Sequence, residues 1–478
     1  MDLTLTLRMR ELLSTYKDLR AAPPGAARNR RGQKLNVLIA DLLNAWGLTT
    51  RHSVVGVDGR DETDVFFTDG QANHILEAKW EAKPINADPL IKLADRLRTR
   101  PSGTRGIVVS MSGYTRAALD WVKGNQGILV LDNSHIEAML CGLLGPGDLL
   151  QLLYAETAAA GNRLLSLADV LVPRHVDPGP APALLRTADT KLSWPVVQAT
   201  GPGVNASADF SGEWLPTQTP SALTNAPGGN LLITTAAGVI AFHPATGHST
   251  WALPLRWTQD RAVCGSDGSV TVLCRSALVR WHPQDRAIEL LAGGFGGYAT
   301  LEAGRDGALW VFNQVGPLHD GSVTLSRIGE HPGDEQRYDV PFPSGHRAVE
   351  LGSGRFFLSG NGNSTTLDLA RTPITTRDDW IESTVSDPRA TAAPDDHTVL
   401  AAGHRGGLAW SLHRLDLDQP AIWSELLTLT VNRITDLALD ASGAGEVSGW
   451  LLADVSGNTP NPTPVLCRLE VRAPLVSG

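Results

Sequence analysis

Turn-forming residue pairs recur at nearly regular intervals through the C-terminal part of the chain. A run of β-prone residues follows each pair, such as LLITTAAGVIAF after the first and SVTVLCRSALVRW after the second. The pairs are Gly228-Gly229, Asp267-Gly268, Asp306-Gly307, Ser353-Gly354, Asp395-Asp396 and Ser442-Gly443. Between their second residues the spacings are 39, 39, 47, 42 and 47 residues, and one four-stranded blade of a β-propeller takes roughly 40–50 residues. The repeat therefore predicts an all-β, propeller-like domain over residues 196–478.

The number of blades is less constrained than the architecture. Six repeats give six blades as the simplest count. The repeats are degenerate and carry no WD or kelch signature, so seven blades and a pair of β-sandwiches stay open as alternatives. A repeat architecture of this kind suits recognition of a ligand or partner rather than chemistry.

The N-terminal part alternates helix-like and strand-like segments instead, and a chain of 478 residues is long enough for two or three domains. Residues 1–30 predict a leading helix that stops before Pro23-Pro24-Gly25. The segments that follow are helix 32–46, strands 52–57, 63–67 and 74–79, helix 88–97, strand 106–110, helix 115–122, strand 127–131 and helix 134–143. This order predicts an α/β domain over residues 31–150, with a mixed central sheet flanked by helices. Residues 151–195 predict a helical extension and a Pro-rich linker.

Charge is distributed unevenly along the chain. Residues 1–180 carry 21 Lys and Arg against 20 Asp and Glu, and residues 181–478 carry 20 against 30, which divides the net charge of −9 into +1 and −10. An acidic C-terminal region repels phosphate backbones, so we expect nucleic-acid contacts in the N-terminal half. No apolar run is long enough to cross a bilayer and no secretory signal is recognisable at the N-terminus. We therefore expect no membrane association and a cytoplasmic location.

One predicted hairpin gathers acidic and basic side chains. Asp69-Gly70 is a turn signal between the β-prone runs ETDVFF and HILEAK. In an antiparallel hairpin centred there, the numbers of facing residues sum to about 141, so Asp64 faces Glu77. Because side chains alternate along a strand, Lys79 shares the face of Glu77 and lies within reach of Asp64.

These three residue types in one place suggest metal-assisted hydrolysis. Two neighbouring carboxylates repel each other unless a cation lies between them, and a hard ion such as Mg²⁺ prefers oxygen ligands. An ion held by Asp64 and Glu77 can bind a scissile phosphate and lower the pKa of a water molecule, which Lys79 can orient. The spacing D-x(12)-E-x-K also arises by chance, and the same residues fit an ordinary hairpin with a cross-strand ion pair.

The segments from residue 31 to about 150 resemble the PD-(D/E)xK nuclease superfamily, and in particular its Mrr-like restriction endonuclease branch. The resemblance rests on the stretches LNVLIADLLNAWGL, ETDVFF, LEAKW, KPINADPLIKLADRL, GIVVSMSGYTRAAL and ILVLDNSHIEAMLCG. It implies a restriction-endonuclease-like fold with Asp64 and Glu77 as metal ligands and Lys79 as the catalytic lysine. The implied cofactor is Mg²⁺, for which Mn²⁺ can substitute.

Three further residues are candidate accessory groups. Many relatives carry an acidic residue on the first helix where this chain has Asn36, which leaves the number of metal ions open. Ser110 and Ser112 follow a buried strand and could either line a substrate cleft or form a turn.

A nuclease domain joined to a recognition module is the layout of restriction or anti-phage defence effectors, by analogy of folds. The resemblance favours DNA as the substrate, bound by the basic N-terminal half, with a protein or small ligand at the propeller. A homo-oligomer stays open. The alternatives are a DNA repair or recombination nuclease and a nuclease fold that binds without cutting.

Overall fold

The computed structural model divides the chain into two compact units, residues 1–176 with 292–295 and residues 177–291 with 296–478. The residues that it describes are 3–21, 28–55, 62–125, 127–161, 164–172, 177–189, 199–200, 204–212, 214, 218–296, 298–315, 322–331, 334–340, 347–352, 354–360, 363–370, 381–382, 386–406, 409–418, 423–440, 446–455 and 463–472. No helix within these ranges has the length and apolar character needed to span a bilayer.

The first unit is an α/β domain whose elements follow the predicted order. Its helices are α1 (Leu3–Ala21), α2 (Arg28–Ala45), α3 (Asp88–Arg98), α4 (Arg116–Lys123), α5 (Asn133–Leu140), α6 (Pro146–Ala160) and α7 (Leu167–Leu171). Its strands are β1 (Thr49–Val55), β2 (Glu62–Thr68), β3 (Asn73–Lys79), β4 (Arg105–Ser110) and β5 (Ile128–Asp132).

The five strands form one mixed sheet in the order β1-β2-β3-β4-β5. Strands β1, β2 and β3 pair antiparallel, whereas β3, β4 and β5 pair parallel. Helices α3 and α4 bury Leu90 and Val122 against the sheet residues Ile75, Val108 and Val130, and α2 packs across β1, β2 and β3. The predicted mixed sheet with packed helices is confirmed.

The second unit is a β-propeller. Three strands precede the first blade, β6 (Leu184–Arg186), β7 (Ala199–Thr200) and β8 (Val204–Gly212). Blades one to three contain β9 (Pro220–Ala226), β10 (Asn230–Thr235), β11 (Gly238–His243), β12 (His248–Leu253), β13 (Thr258–Cys264), β14 (Val270–Cys274), β15 (Ala277–His282), β16 (Ala287–Gly293), β17 (Tyr298–Ala303), β18 (Leu309–Val315), β19 (Ser322–Ile328) and β20 (Glu335–Val340). Blades four to six contain β21 (Arg347–Gly352), β22 (Arg355–Gly360), β23 (Asn363–Asp368), β24 (Ile381–Glu382), β25 (Ser386–Ala392), β26 (Thr398–Gly406), β27 (Ala409–Asp416), β28 (Trp423–Thr430), β29 (Arg433–Leu439), β30 (Glu446–Val455) and β31 (Thr463–Arg472).

The ring is closed by a strand from each end of the unit. Strand β8 precedes blade one in the chain, yet it pairs antiparallel with β31 in blade six. The described residues form six propeller sheets, the last two extended by β7 and by β6. The predicted propeller is confirmed with six blades, and neither seven blades nor a pair of β-sandwiches is what the chain forms. The pairing of β8 with β31 joins the two ends of the unit within one blade, and each blade keeps only short, protected edges.

The repeated turns connect the first and second strands of the blades. Four glycines in these turns have φ between 76° and 82°, namely Gly229, Gly268, Gly307 and Gly354. A positive φ of this size carries little steric energy for glycine, because it has no Cβ atom. In two of these turns an aspartate beside the glycine also accepts a backbone N–H two residues on, as in an Asx-turn. The conformation therefore explains why the same residue types recur. Ser353, Ser442 and Gly443 lie outside the described residues.

A buried ionic network joins the first strands of several different blades of the propeller. Asp436 on β29 accepts hydrogen bonds from Arg261 on β13 at 2.9 and 3.1 Å and from Arg347 on β21 at 2.7 Å. Arg261 also donates to Glu302 on β17 at 2.8 Å, and Arg347 to Asp260 at 3.0 Å. Burial works to raise the pKa of Asp436, but the two arginines outweigh it and lower that pKa to about 2.

Candidate active site

The hairpin that carries the candidate residues is shaped by its turn. Gly70 has a φ of 83°, a conformation that glycine adopts without a steric penalty. Asp69 Oδ1 accepts the backbone N–H groups of Gln71 and Ala72, both at 2.8 Å. Its Oδ2 contacts Nε2 of the buried His74 at 3.0 Å. These bonds stabilise the turn at the position predicted from the sequence.

The predicted register of the hairpin is confirmed. The ladder between β2 and β3 ends at Val65↔Leu76, whose numbers sum to the expected 141. Asp64 and Glu77 are the next residues on their strands. Lys79 follows two positions after Glu77 and, by the alternation of a strand, on the same side of the sheet.

Asp64, Glu77 and Lys79 meet in one place. The Nζ atom of Lys79 lies 3.2 Å from Glu77 Oε2 and 3.5 Å from Asp64 Oδ2. Asp64 Oδ2 also accepts the backbone N–H of Ala78 at 2.9 Å, which ties this carboxylate to the neighbouring strand. The side chains of Asp64, Glu77 and Lys79 are 17%, 8% and 31% exposed. One ammonium thus bridges two largely buried carboxylates and keeps some access to solvent.

Glu77 and Lys79 line a cleft of about 520 Å³ between β3 and α3. The opposite side is formed by residues 84–86 and by one stripe of α3, on which Asp88, Lys92 and Arg96 recur every four residues. Arg96 donates to Glu77 Oε1 and, at 3.0 Å, to the backbone carbonyl of residue 62. The cleft therefore combines three basic side chains with three carboxylates, of which that of Glu77 is buried.

Burial and neighbouring charges shift the pKa values of this cluster. Burial raises the pKa of Glu77, Asp64 raises it further, and Lys79 and Arg96 offset only part of the increase. Burial works to lower the pKa of Lys79, but the charges of Asp64 and Glu77 together outweigh it and raise that pKa. Lys79 therefore remains an ammonium at neutral pH.

The two carboxylates fit a divalent cation with few protein ligands. Within the described residues no group of three or more His, Cys, Asp or Glu side chains is arranged to hold a metal ion. Mg²⁺ is commonly held by only one or two carboxylates, with water and substrate phosphate oxygens completing its coordination. Asp64 and Glu77 supply such a pair, and Glu77 lines the open cleft.

The three accessory candidates do not bond to this cluster. Asn36 on α2 is buried, and its Oδ1 meets no hydrogen-bond donor among the described residues. Ser110 is buried and donates to the carbonyl of Gly113 at 2.6 Å, and Ser112 donates to the carbonyl of Lys83 at 2.8 Å. The bond of Ser110 lies within the turn that follows β4, whereas the bond of Ser112 joins that turn to the segment after β3.

Arg96 is the member of the site that sequence reasoning did not single out. In the sequence it is one of several basic residues on and around the predicted helix 88–97, which also include Lys83, Lys92 and Arg98. The spacing of four between Lys92 and Arg96 places both on one helix face, and that signal was available. Which side chain of the sheet this face would meet depends on helix packing.

Comparison with known proteins supports the domain assignment. Residues 27–140 match the restriction endonuclease family model Mrr_cat. A search of curated proteins gives no match.

Several solved structures are similar to parts of the chain. A calcium-binding protein, regucalcin, from Agrobacterium tumefaciens is 12% identical with a TM-score of 0.41, over 54% of this chain and 93% of the other. A gluconolactonase from Xanthomonas campestris is 15% identical with a TM-score of 0.41, over 61% of this chain and 96% of the other. A protein of unknown function, AF1548, is 19% identical with a TM-score of 0.20, over 27% of this chain and 77% of the other.

The family match covers the segment in which Asp64, Glu77 and Lys79 come together. The chain therefore carries a restriction endonuclease domain of the Mrr-like branch at residues 27–140, followed by a C-terminal six-bladed β-propeller.

Proposed function

We propose that the N-terminal unit is a divalent-metal-dependent endonuclease that hydrolyses DNA phosphodiester bonds and serves as a restriction or anti-phage defence effector. The observation that carries this proposal is the convergence of Asp64, Glu77 and Lys79. Glu77 and Lys79 line a cleft, Lys79 contacts Asp64, and all three residues lie within the stretch that matches the restriction endonuclease family.

Asp64 and Glu77 are the residues that would hold Mg²⁺, for which Mn²⁺ can substitute. Such an ion, when bound, supplies positive charge for the scissile phosphate and a water molecule of lowered pKa. The bond from the Ala78 backbone keeps Asp64 Oδ2 in place. Lys79 carries its charge between the two carboxylates and can donate a hydrogen bond to a phosphate oxygen or to the attacking water.

DNA is the substrate that the family match favours, and the charge of the chain supports binding at the N-terminal half. Residues 1–180 have a net charge of +1, whereas residues 181–478 have a net charge of −10. Lys92 is exposed beside the cleft and is placed to contact a phosphate next to the scissile one. Recognition by the propeller then concerns a protein or a small ligand, as a sensing or docking module.

Cleavage of supercoiled plasmid in MgCl₂ or MnCl₂ tests the activity. We expect the parent to nick or linearise the plasmid, and Asp64→Ala and Lys79→Ala to lose at least a hundredfold in rate. Asp95→Asn is the matched control, because Asp95 lies on α3 with 62% exposure and pairs with Arg98 at the surface. Equal cleavage by the parent and both variants would remove the assignment.

The absence of an acidic residue at Asn36 makes a non-cleaving, DNA-binding role the second candidate. This second role would be favoured if the parent and every variant bound labelled DNA duplex without cleaving it, in MgCl₂ and in MnCl₂.

The biological role needs a separate test in cells. We expect cells that carry the parent gene to lower phage plating efficiency, and cells that carry Asp64→Ala to plate phage like cells without the gene. Sensitivity to DNA damage on loss of the gene, with no effect on phage, would point to the alternative role in repair or recombination.

A further inference from the structure

Both carboxylate oxygens of Glu77 are occupied by cationic side chains. Oε2 lies 3.2 Å from the ammonium of Lys79, and Oε1 accepts a hydrogen bond from the guanidinium of Arg96. Glu77 is 8% exposed and Arg96 is 19% exposed. The carboxylate is therefore neutralised by the protein's own side chains.

Charge balance shows why this arrangement has to change when a divalent cation arrives. Asp64 and Glu77 contribute two negative charges, and Lys79 and Arg96 contribute two positive charges. Lys79 or Arg96 would have to give up an oxygen of Glu77 if that carboxylate were to hold a divalent cation. Burial makes this competition strong, because charges attract and repel more in a poorly solvated site.

Arg96 is better placed to give way than Lys79. Lys79 lies on β3 beside Glu77 and also contacts Asp64, so it is held by both carboxylates. Arg96 comes from α3, and its guanidinium also donates to the backbone carbonyl of Glu62 at 3.0 Å. That second bond can keep the guanidinium at the cleft after it leaves Glu77. An arginine at this position can form paired hydrogen bonds with a phosphate.

We propose that Arg96 is a positioning residue that holds Glu77 before a divalent cation binds, is displaced from Glu77 by that cation, and then contacts a phosphate of the substrate. This inference rests on the proposed nuclease function. It adds a step that the function itself does not require, namely competition between Arg96 and the cation for one carboxylate oxygen.

Isothermal titration with Mn²⁺ alone, on the full chain without DNA and at pH 8, measures this competition directly. We expect Arg96→Gln to bind Mn²⁺ at least threefold more tightly than the parent, because the amide cannot compete as a charge. Arg96→Lys keeps the charge without the planar fork, and we expect its affinity to lie between the two. Arg98→Gln is the matched control, since Arg98 is 79% exposed on the same helix.

Plasmid cleavage supplies the second readout. We expect Arg96→Gln to combine tighter Mn²⁺ binding with a raised KM for DNA, and Arg96→Lys to recover part of the DNA affinity. A purely structural role would instead weaken metal binding and lower thermal stability together, and Arg96→Lys would show whether charge alone preserves the fold.

The outcomes separate this inference from the function on which it rests. Unchanged or weaker Mn²⁺ binding by Arg96→Gln, while Asp64→Asn abolishes binding, would overturn the role of Arg96 alone. If neither the parent nor Arg96→Gln binds Mn²⁺, both proposals fail. If Arg96→Gln binds Mn²⁺ and the parent does not, the result would support the proposed competition between Arg96 and the cation for Glu77.

Discussion

Four ionisable side chains share one end of the β2–β3 hairpin, and none of them can be changed without altering the others. Asp64 and Glu77 repel each other, while Lys79 and Arg96 each approach Glu77 from a different side. Removing one member of a buried charge pair leaves its partner uncompensated. The resulting loss of folding free energy exceeds the stabilisation that the intact pair provides. Single substitutions at this site should therefore be assessed by metal binding and folding as well as by cleavage.

Replacing Lys79 with methionine should separate chemistry from metal binding. We expect Lys79→Met to lower the cleavage rate about 10²–10³-fold, as when one donor to a developing negative charge is lost. Mn²⁺ affinity should be retained or increased, because Asp64 and Glu77 lose a competing cation. Single-turnover cleavage and titration calorimetry measure the two effects. Lys123→Met, on an exposed lysine of α4, serves as the control, and loss of Mn²⁺ binding in Lys79→Met would contradict the assignment.

At the scale of elements, the β2–β3 turn and helix α3 place the site. The turn fixes the hairpin register through glycine and Asx geometry, and both signals are legible in the sequence. The basic stripe of α3 meets the end of β3 because the helix packs on the neighbouring strand β4. The four-residue spacing in the sequence predicts this stripe, but the side chains that it contacts depend on how α3 packs on the sheet.

The turn can be tested with a pair of glycine substitutions. Gly70 has a φ of 83° and open space around it, so Gly70→Ala adds backbone strain alone and should destabilise the first unit by about 1–2 kcal/mol. Gly32 lies within α2 with no atom near its missing side chain, so Gly32→Ala should stabilise by about 0.5–1 kcal/mol. Urea unfolding measures both, and equal effects of the two changes would refute the role given to the turn.

Lys92 on α3 should contribute to DNA affinity without contributing to catalysis. We expect Lys92→Ala to weaken binding to duplexes of different sequence about equally and to reduce the slope of log K against log salt by about 1. Fluorescence anisotropy over a salt series, in Ca²⁺ to prevent cleavage, gives the slope. Lys123→Ala is the control. An unchanged slope would remove Lys92 from the binding surface.

At the scale of the whole molecule, contacts between distant parts of the chain complete the propeller. In the propeller, β8 joins β31 to close the ring, and Arg261, Arg347 and Asp436 connect first strands of different blades. The network joins residues 89 and 175 positions apart. Such contacts make the stability of the blades interdependent, unlike that of an open repeat array.

Asp436 should therefore be a major determinant of propeller stability. We expect Asp436→Asn to destabilise the propeller by about 3–5 kcal/mol, because it leaves two buried arginines without their shared carboxylate. Asp306→Asn is the matched control, since Asp306 pairs with Arg327 at the surface and should change stability by less than about 1 kcal/mol. Denaturant unfolding of the full chain measures both, and similar values would argue against the network.

The same carboxylate predicts an acid-sensitive propeller. The pKa of Asp436 is lowered from 3.8 to about 2 in the folded protein. A depressed carboxyl pKa contributes stability that is present above the unfolded value and is lost as the pH falls through the folded value. We expect the melting temperature of the parent to fall between pH 4 and 2, and that of Asp436→Asn to fall less. Equal falls over this range would contradict the prediction.

The sequence by itself determined the features that depend on local spacing. Turn residues predicted the blades and the hairpin register, and strand alternation brought Asp64, Glu77 and Lys79 to one side of one hairpin. Only the tertiary structure decided that Arg96 meets Glu77, that Ser112 bonds to the carbonyl of Lys83, and that Asp436 joins two arginines from other blades. These contacts depend on how helices and blades pack, and side-chain periodicity carries no information about the partner that a face will meet.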